Sequence, residues 1–369
     1  MENINLASGS TYFTTPALAS MAAIKAIQEH KTFYGLTEGT LALRAAIALR
    51  YKNLNQATVV PENILVTAGT KQALFNILSA VLKPGDEVIV PVPNWFGLQQ
   101  VLELVQAKIV LWPTSPESNY ALRPTDLEKL ITSKTRLVLI SNPCNPTGRI
   151  YQKPELEALL QVLAQYPKIY LLSDEIYDLI SYGLAVPSLM QFPDPLGRHI
   201  VVNGFSKAFA MSGWRIGYII MPPALYQSSL AFQQVTIAGV SEFVQAAAQA
   251  ILENINTVLP PMLQELHQHR QLMLDFLKDK KIETFAPEGA YFVFPYLNPI
   301  LNKAVPTTAA LVKYLKENQS LEILPGENFG TPGYARISFA LPPEKLQVAF
   351  NRFAEAFDLL TDFTQGRVY

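Results

Sequence analysis

The chain has 369 residues, 49% of them hydrophobic, which supplies core material for one large two-lobed unit or two domains and excludes a disordered protein. Lysine and arginine number 29 against 30 acidic residues, a net charge of -1, so no basic field is present to attract nucleic acid. Neither a signal-like N-terminal pattern nor an apolar run near the roughly 20 residues that span a bilayer is found, so a soluble, cytoplasmic protein without a membrane partner is expected.

In chain order, a short apolar strand is predicted at 64–67, followed by a helix over 71–82. Further strands are predicted at 87–91, 136–141, 169–173, 200–204 and 216–221. Most are apolar throughout, as strands buried on both faces should be. Between them, Thr125 and Glu128 have the spacing of a capping box, with Leu127, Leu130 and Ile131 at helical intervals. Pro154 and Glu155 open another helix, whose apolar face carries Leu156, Leu159, Leu160 and Leu163. This alternation predicts an α/β fold with parallel strands joined by crossover helices. After Pro260 and Pro261, a long helical pattern from Met262 to about Lys280 reads as a bridge between two lobes. Strands at 290–295 and 334–340, a loop at 295–306 and a helix at 307–317 suggest a smaller α+β domain. The expected division is a large domain over 32–258 and a small one made of 1–31 and 259–369.

Functional groups in a parallel sheet gather where the strands end, because the loops converge outside the carboxyl edge. Three ends here are well equipped. One leads into Ser141-Asn142-Pro143-Cys144-Asn145-Pro146-Thr147-Gly148; the next ends Ser173-Asp174-Glu175-Ile176-Tyr177; the third carries Asn203-Gly204-Phe205-Ser206-Lys207, then Trp214-Arg215. A carboxylate, a tyrosine, an amide, a lysine and an arginine therefore share one edge. Cys144 lies in the first of these loops, but no histidine in its sequence context could activate it, and as the single cysteine it excludes a disulfide framework. His267 and His269, two residues apart on a helix, face different ways, so no metal is implied.

Taken with Tyr34 before Gly39 and Leu43-Arg44, Ala68-Gly69-Thr70-Lys71, Pro287-Glu288-Gly289-Ala290-Tyr291 and Arg336-Ile337-Ser338-Phe339, these motifs resemble, in order, the fold-type I aminotransferases. The resemblance runs from about Leu6 to Phe350 and is nearest the prokaryotic aspartate aminotransferase branch. It implies pyridoxal 5'-phosphate as cofactor, a large domain with a mostly parallel central sheet flanked by helices, and a smaller α+β domain. Amino-group transfer from an L-amino acid to a 2-oxo acid by a ping-pong mechanism follows from the same resemblance.

The residues suit that cofactor, which needs tethering, an anion site, a charged ring nitrogen and a stacked face. On its own, Lys207 would read as a solvated loop lysine. The motif around it implies the tethering amine, which also serves as acid and base once the substrate frees it. Asp174, otherwise a turn cap, would hold the proton of the ring nitrogen, while Asn145 and Tyr177 would bond the ring's phenolic oxygen. Gly69, Thr70 and Lys71 open a helix whose N–H groups suit a phosphate, and Arg215 adds a permanent cation. Tyr34 matches the tyrosine that reaches this phosphate from a partner subunit, which implies a homodimer. Trp95, with Phe96 as competitor, would stack on the ring. Arg336 would grip the substrate's α-carboxylate by a bidentate pair, beside Asn145 and Gly9.

Two positions depart from the family pattern. Thr11 stands where the Gly-x-Pro-x-Phe segment that closes over the substrate has proline, here Gly9-Ser10-Thr11-Tyr12-Phe13. Glycine occupies position 204, where many relatives have a serine or threonine on the phosphate. With no basic residue between Ser8 and Thr15 to pair with an acidic side chain, the expectation leans to a neutral or aromatic donor with 2-oxoglutarate as acceptor, aspartate being the alternative. A β-lyase acting on cysteine conjugates would use the same cofactor, and a non-catalytic pyridoxal-phosphate-binding regulator is a third reading. The intact lysine and the lack of a helix-turn-helix extension weigh against the regulator.

Overall fold

The computed structural model describes residues 2–54 and 59–364. The outermost bounds expected for the smaller domain, 1 and 369, fall outside them. The chain starts with β1 (Ile4–Asn5), α1 (Ala17–Gln28) and α2 (Leu41–Lys52). Then come β2 (Ile64–Thr67), α3 (Thr70–Val81), β3 (Glu87–Val92), α4 (Gly97–Leu104), β4 (Lys108–Pro113), α5 (Pro124–Leu130) and β5 (Thr135–Ser141). The middle closes with α6 (Lys153–Leu163), β6 (Tyr170–Asp174), β7 (His199–Gly204), β8 (Gly217–Ile220), α7 (Pro223–Thr236), α8 (Glu242–Glu253) and the long α9 (Ile255–Asp279). Last are β9 (Phe292–Val293), α10 (Thr308–Gln319), β10 (Leu321–Glu322), β11 (Leu324–Pro325), β12 (Ala335–Ser338) and α11 (Pro343–Thr364).

The central sheet has the order β2-β8-β7-β6-β5-β3-β4. Every pair is parallel except those of β8, which runs antiparallel to both β2 and β7. Alternating residues of one strand enter different cores: on β5, Val138 and Ile140 join one cluster while Leu137 and Leu139 join the other. Both faces are thus sealed, and each fully buried aliphatic side chain contributes about 1.5–3 kcal/mol over its exposed state. A charge placed at either 138 or 139 would be driven into one core or the other. Elsewhere β9, β11 and β12 form a small antiparallel sheet, and β1 pairs with β10. Because α1 packs along α8 while β1 sits on β10, the N-terminal segment contacts both groups of elements.

The predicted elements correspond closely to these, with instructive differences. The capping box at Thr125 does not form: Pro124 takes the first helical turn, Arg123 becomes the N-cap, and no side chain caps α5. Proline's fixed φ suits that first position, so it sets the start ahead of Thr125. α9 begins at Ile255 and runs through Pro260 and Pro261 instead of starting after them. β4 is not among the predicted strands although Ile109 to Trp112 is a continuous apolar run; it is an edge strand and mostly half-exposed.

Candidate active site

The site forms at the carboxyl edge of the central sheet. β5, β6 and β7 lie side by side, with Ser141 opposite Asp174 and Asp174 opposite Val202, so three adjacent strands deliver their loops to one place. There a cavity of about 460 Å³ is lined by Thr70, Lys71, Trp95, Asn145, Asp174, Tyr177, Lys207 and Arg215. A larger cavity of about 670 Å³, walled by Phe192, His199 and Met221, holds none of the expected groups.

Lys207 follows β7, and its Nζ donates to the Gly9 carbonyl at 2.5 Å and lies 5.8 Å over the Tyr177 ring. Burial first, then the charge of Arg336, with Arg215 and Lys71 behind, lowers its amine to about 8; Asp174 opposes them. A lysine so poised can act as nucleophile and base near neutral pH. Asp174 ends β6 and accepts from the Ile176 N–H at 3.2 Å. Burial raises its carboxyl to about 6, against the pull of that N–H and of Lys207. Tyr177 is buried edge-on to Tyr291 and Phe292, and burial pushes its phenol up.

Arg336, on β12, is 3% exposed. Its Nη1 donates to Asn145 Oδ1 at 3.0 Å and its Nη2 to the Ala7 carbonyl at 2.7 Å. Phe292 and Phe329 flank the guanidinium at 4.1 and 5.3 Å from their ring centres. Nε is buried without a hydrogen-bond partner. A buried cation with an unused donor is suited to an anionic ligand group.

At the other end, Gly69 precedes α3 with φ +79°, a conformation that favours glycine. No side chain caps the first turn of α3 and no acidic residue stands there, leaving its N–H groups and the helix dipole for an anion. A Cβ at Gly69 would strike the Arg215 guanidinium, which is held by the Ser212 carbonyl at 2.7 Å and the Ala68 carbonyl at 3.3 Å. Lys71 Nζ stands 5.7 Å over the Trp95 ring, which leans on Phe96. Tyr34 is apart from these: it is 95% exposed and lines a surface recess with residues Ile237 to Ser241, not the cavity of its own chain.

Sequence reasoning left several contributors without a role. Tyr291 donates to the Gly9 carbonyl at 2.6 Å. Phe292 and Phe329 hold Arg336, and Ala7 accepts from it. Below Asp174, Glu175 is fully buried, accepting from the Ser188 hydroxyl and the Leu189 N–H, both at 2.8 Å, and burial raises its carboxyl to about 8. Tyr291, Glu175 and Phe329 had a local signal, inside the Pro287 to Tyr291 and Asp174 to Tyr177 motifs and the Phe329-Gly330 pair upstream of Arg336.

A buried lysine of lowered pKa, a carboxylate near it, an uncapped helix start and a buried arginine suit an α/β enzyme that uses an aldehyde cofactor bearing a phosphate. The residues fit pyridoxal 5'-phosphate. The chain belongs to the class I and II aminotransferases, whose family model matches residues 2–353. It is 34% identical to an aspartate/prephenate aminotransferase of Nitrosomonas europaea over 95% of this chain and 91% of that protein. Among solved structures, it superposes on a double mutant of Thermus thermophilus aspartate aminotransferase with TM-score 0.91 at 31% identity, covering 96% of this chain and 91% of that one. The aromatic aminotransferase of Pyrococcus horikoshii gives 0.92 at 32%, covering 99% and 97%. The protein is therefore a pyridoxal-phosphate-dependent aminotransferase of fold-type I, and the lyase and regulatory readings are not favoured.

Proposed function

We propose that Lys207 is the reacting amine, that Arg336 receives the α-carboxylate, and that the enzyme exchanges amino groups between aspartate and a 2-oxo acid such as 2-oxoglutarate or prephenate. The observation that carries the assignment of roles is the convergence of Lys207, Asp174, Tyr177 and Asn145 on one cavity, with Arg336 bonded to Asn145 at its edge. When bound, pyridoxal phosphate supplies an electron sink for the charge left at the substrate's α-carbon. Lys207 would take a proton from that carbon and return it. Asp174, held anionic by the cofactor's ring cation, would keep the ring nitrogen protonated. Asn145 and Tyr177 would stabilise the phenolic oxygen, Trp95 would cover the ring face, and Thr70, Lys71 and Arg215 would hold the phosphate. Gly69 keeps the approach to that anion open, and Gly9 closes the substrate side.

Aspartate is favoured because relatives bearing its name share this architecture. An aromatic donor is the second reading, supported by Trp95 and Phe96 in the cavity wall and by the Pyrococcus neighbour. We also infer a homodimer in which Tyr34 reaches the partner's phosphate: Phe33 and Tyr34 are 82% and 95% exposed, and Met21 and Ile24 on α1 and Leu41 at the start of α2 are exposed as well, apolar side chains suited to a second copy. Residues 32–258 would form the cofactor-binding body, with 1–31 and 259–369 as the lobe that closes on it, in the cytoplasm, where the buried thiol of Cys144 remains reduced.

An absorbance titration tests the reading. The visible band of the bound cofactor should fade with aspartate and return with 2-oxoglutarate or prephenate. Fading only with phenylalanine or tyrosine would move the assignment to the aromatic donor, and a band indifferent to every amino acid would overturn the roles given to Lys207 and Arg336.

A further inference from the structure

The N-terminal strap, residues 7–15, is bonded to the reacting groups themselves. Ala7 offers its carbonyl to Arg336, and Gly9 offers its own to both Lys207 and Tyr291. Further along, Thr15 Oγ1 donates to the Ala210 carbonyl at 2.9 Å and accepts from Trp214 Nε1 at 3.0 Å. The stretch between these anchors lacks the proline expected at position 11, and so lacks the fixed φ that would stiffen it. The Thr11 hydroxyl is buried with no partner and adds no tether.

Tyr12 supplies one. Its hydroxyl donates to the Glu265 carboxylate on α9, and its ring stacks on Phe13 at 4.4 Å and on His269 at 6.0 Å with 26° between planes. His269 lies one turn beyond Glu265 on the same helix, is 2% exposed, and places Nε2 3.9 Å from Glu265 Oε1. Burial lowers the imidazole's pKa, which keeps it neutral and leaves the carboxylate to Tyr12. The strap is thereby pinned to the long helix at a point between its bonds to the catalytic groups at Ala7 and Gly9 and its anchor at Thr15.

We propose that Tyr12, acting through Glu265, is a positioning residue that seats the strap over the substrate cavity and sets substrate affinity without touching substrate. The proposal rests on the aminotransferase reading. An open strap must be ordered each time a substrate is enclosed, and the Tyr12–Glu265 bond removes part of that ordering beforehand.

The test uses the holoenzyme carrying Tyr12→Phe, Glu265→Ala, both together, and Glu265→Gln. KM for the amino donor and for the 2-oxo acid should each rise about five- to tenfold in the first two, the loss of one hydrogen bond to a half-exposed carboxylate, with kcat within about twofold. The double variant should be no worse than either single one, and Glu265→Gln, which keeps an acceptor oxygen, should restore most of the affinity. Hydrogen exchange of residues 9–13 should quicken by a similar factor in Tyr12→Phe and Glu265→Ala. Unchanged exchange would overturn the latch whatever the enzyme transaminates; unchanged KM, a fall in kcat alone, or additive single effects would equally overturn it.

Discussion

Replacing Arg336 with lysine keeps the charge and removes the geometry. The guanidinium makes two hydrogen bonds from separate nitrogens, to Asn145 Oδ1 and the Ala7 carbonyl, while its plane lies between Phe292 and Phe329. A lysine ammonium is a point donor that reaches one of those acceptors and neither matches a carboxylate in a fork nor lies flat between two rings. Binding an α-carboxylate would lose one charge-assisted hydrogen bond of about 1.5–3 kcal/mol, and an acceptor left unpaired in this buried place costs about 1–3 kcal/mol more. Together, about 2.5–6 kcal/mol corresponds to a fall in kcat/KM of roughly 10²- to 10⁴-fold. Steady-state kinetics with both substrates of the pair, alongside thermal melting of the holoenzyme, provide the assay. A kcat/KM within about threefold of wild type, with the melting temperature retained, would refute the assignment of Arg336 to the carboxylate.

Lys207→Ala should abolish transamination while circular dichroism and melting show the fold intact; substantial turnover would sink the role given to that amine. Asp174→Asn should cut turnover at least about a hundredfold, since a neutral amide holds the ring proton poorly. Its effect on the cofactor-free protein has the opposite sign. The raised Asp174 pKa favours the folded state below pH 3.8, and that contribution is lost as pH rises through about 6. The variant should therefore gain up to about 3 kcal/mol over wild type at pH 7 and nothing near pH 3.8, and urea titrations at pH 4.5 and 7 with equal differences would disprove it. Gly204→Ser should destabilise the protein by about 1–3 kcal/mol, read as a lower melting temperature, because its Cβ would stand 3.0 Å from Gly217 Cα and from the Ile216 carbonyl.

What the sequence made legible was local. Strands sealed on both faces are apolar end to end, so β2, β5 and β7 could be placed within a residue or two, whereas the equally apolar run Ile109 to Trp112 lies on the half-exposed edge strand β4 and was not picked out. The groups at the ends of β6 and β7 were legible because topology alone carries adjacent parallel strands to one edge. Pairings between distant segments were not. Arg50 reaches Asp178 and, at 2.8 Å, the Tyr218 hydroxyl, while Tyr12 meets Glu265 across most of the chain. Each is an ordinary surface-type residue in its own window, and only the packing of α2 on the sheet or of the strap on α9 gives it a partner.

The glycine at position 204 shows how a departure from a family pattern can be read once packing is known. Gly204 and Gly217 sit opposite each other on β7 and β8, and a Cβ at Gly217 would lie 2.9 Å from the backbone of Gly69 and 3.0 Å from the Thr70 nitrogen. The start of α3 is thus laid directly against two strands through three glycines, closer than any side chain would permit. A Cβ at 204 would crowd Gly217 and the Ile216 carbonyl at 3.0 Å and the Thr70 methyl at 3.3 Å, while the Arg215 guanidinium fills the space where a Gly69 Cβ would stand. Under the roles proposed above, the phosphate would be served by main-chain N–H groups and a helix dipole held in place by this packing, which need no rotamer fixed when the anion arrives.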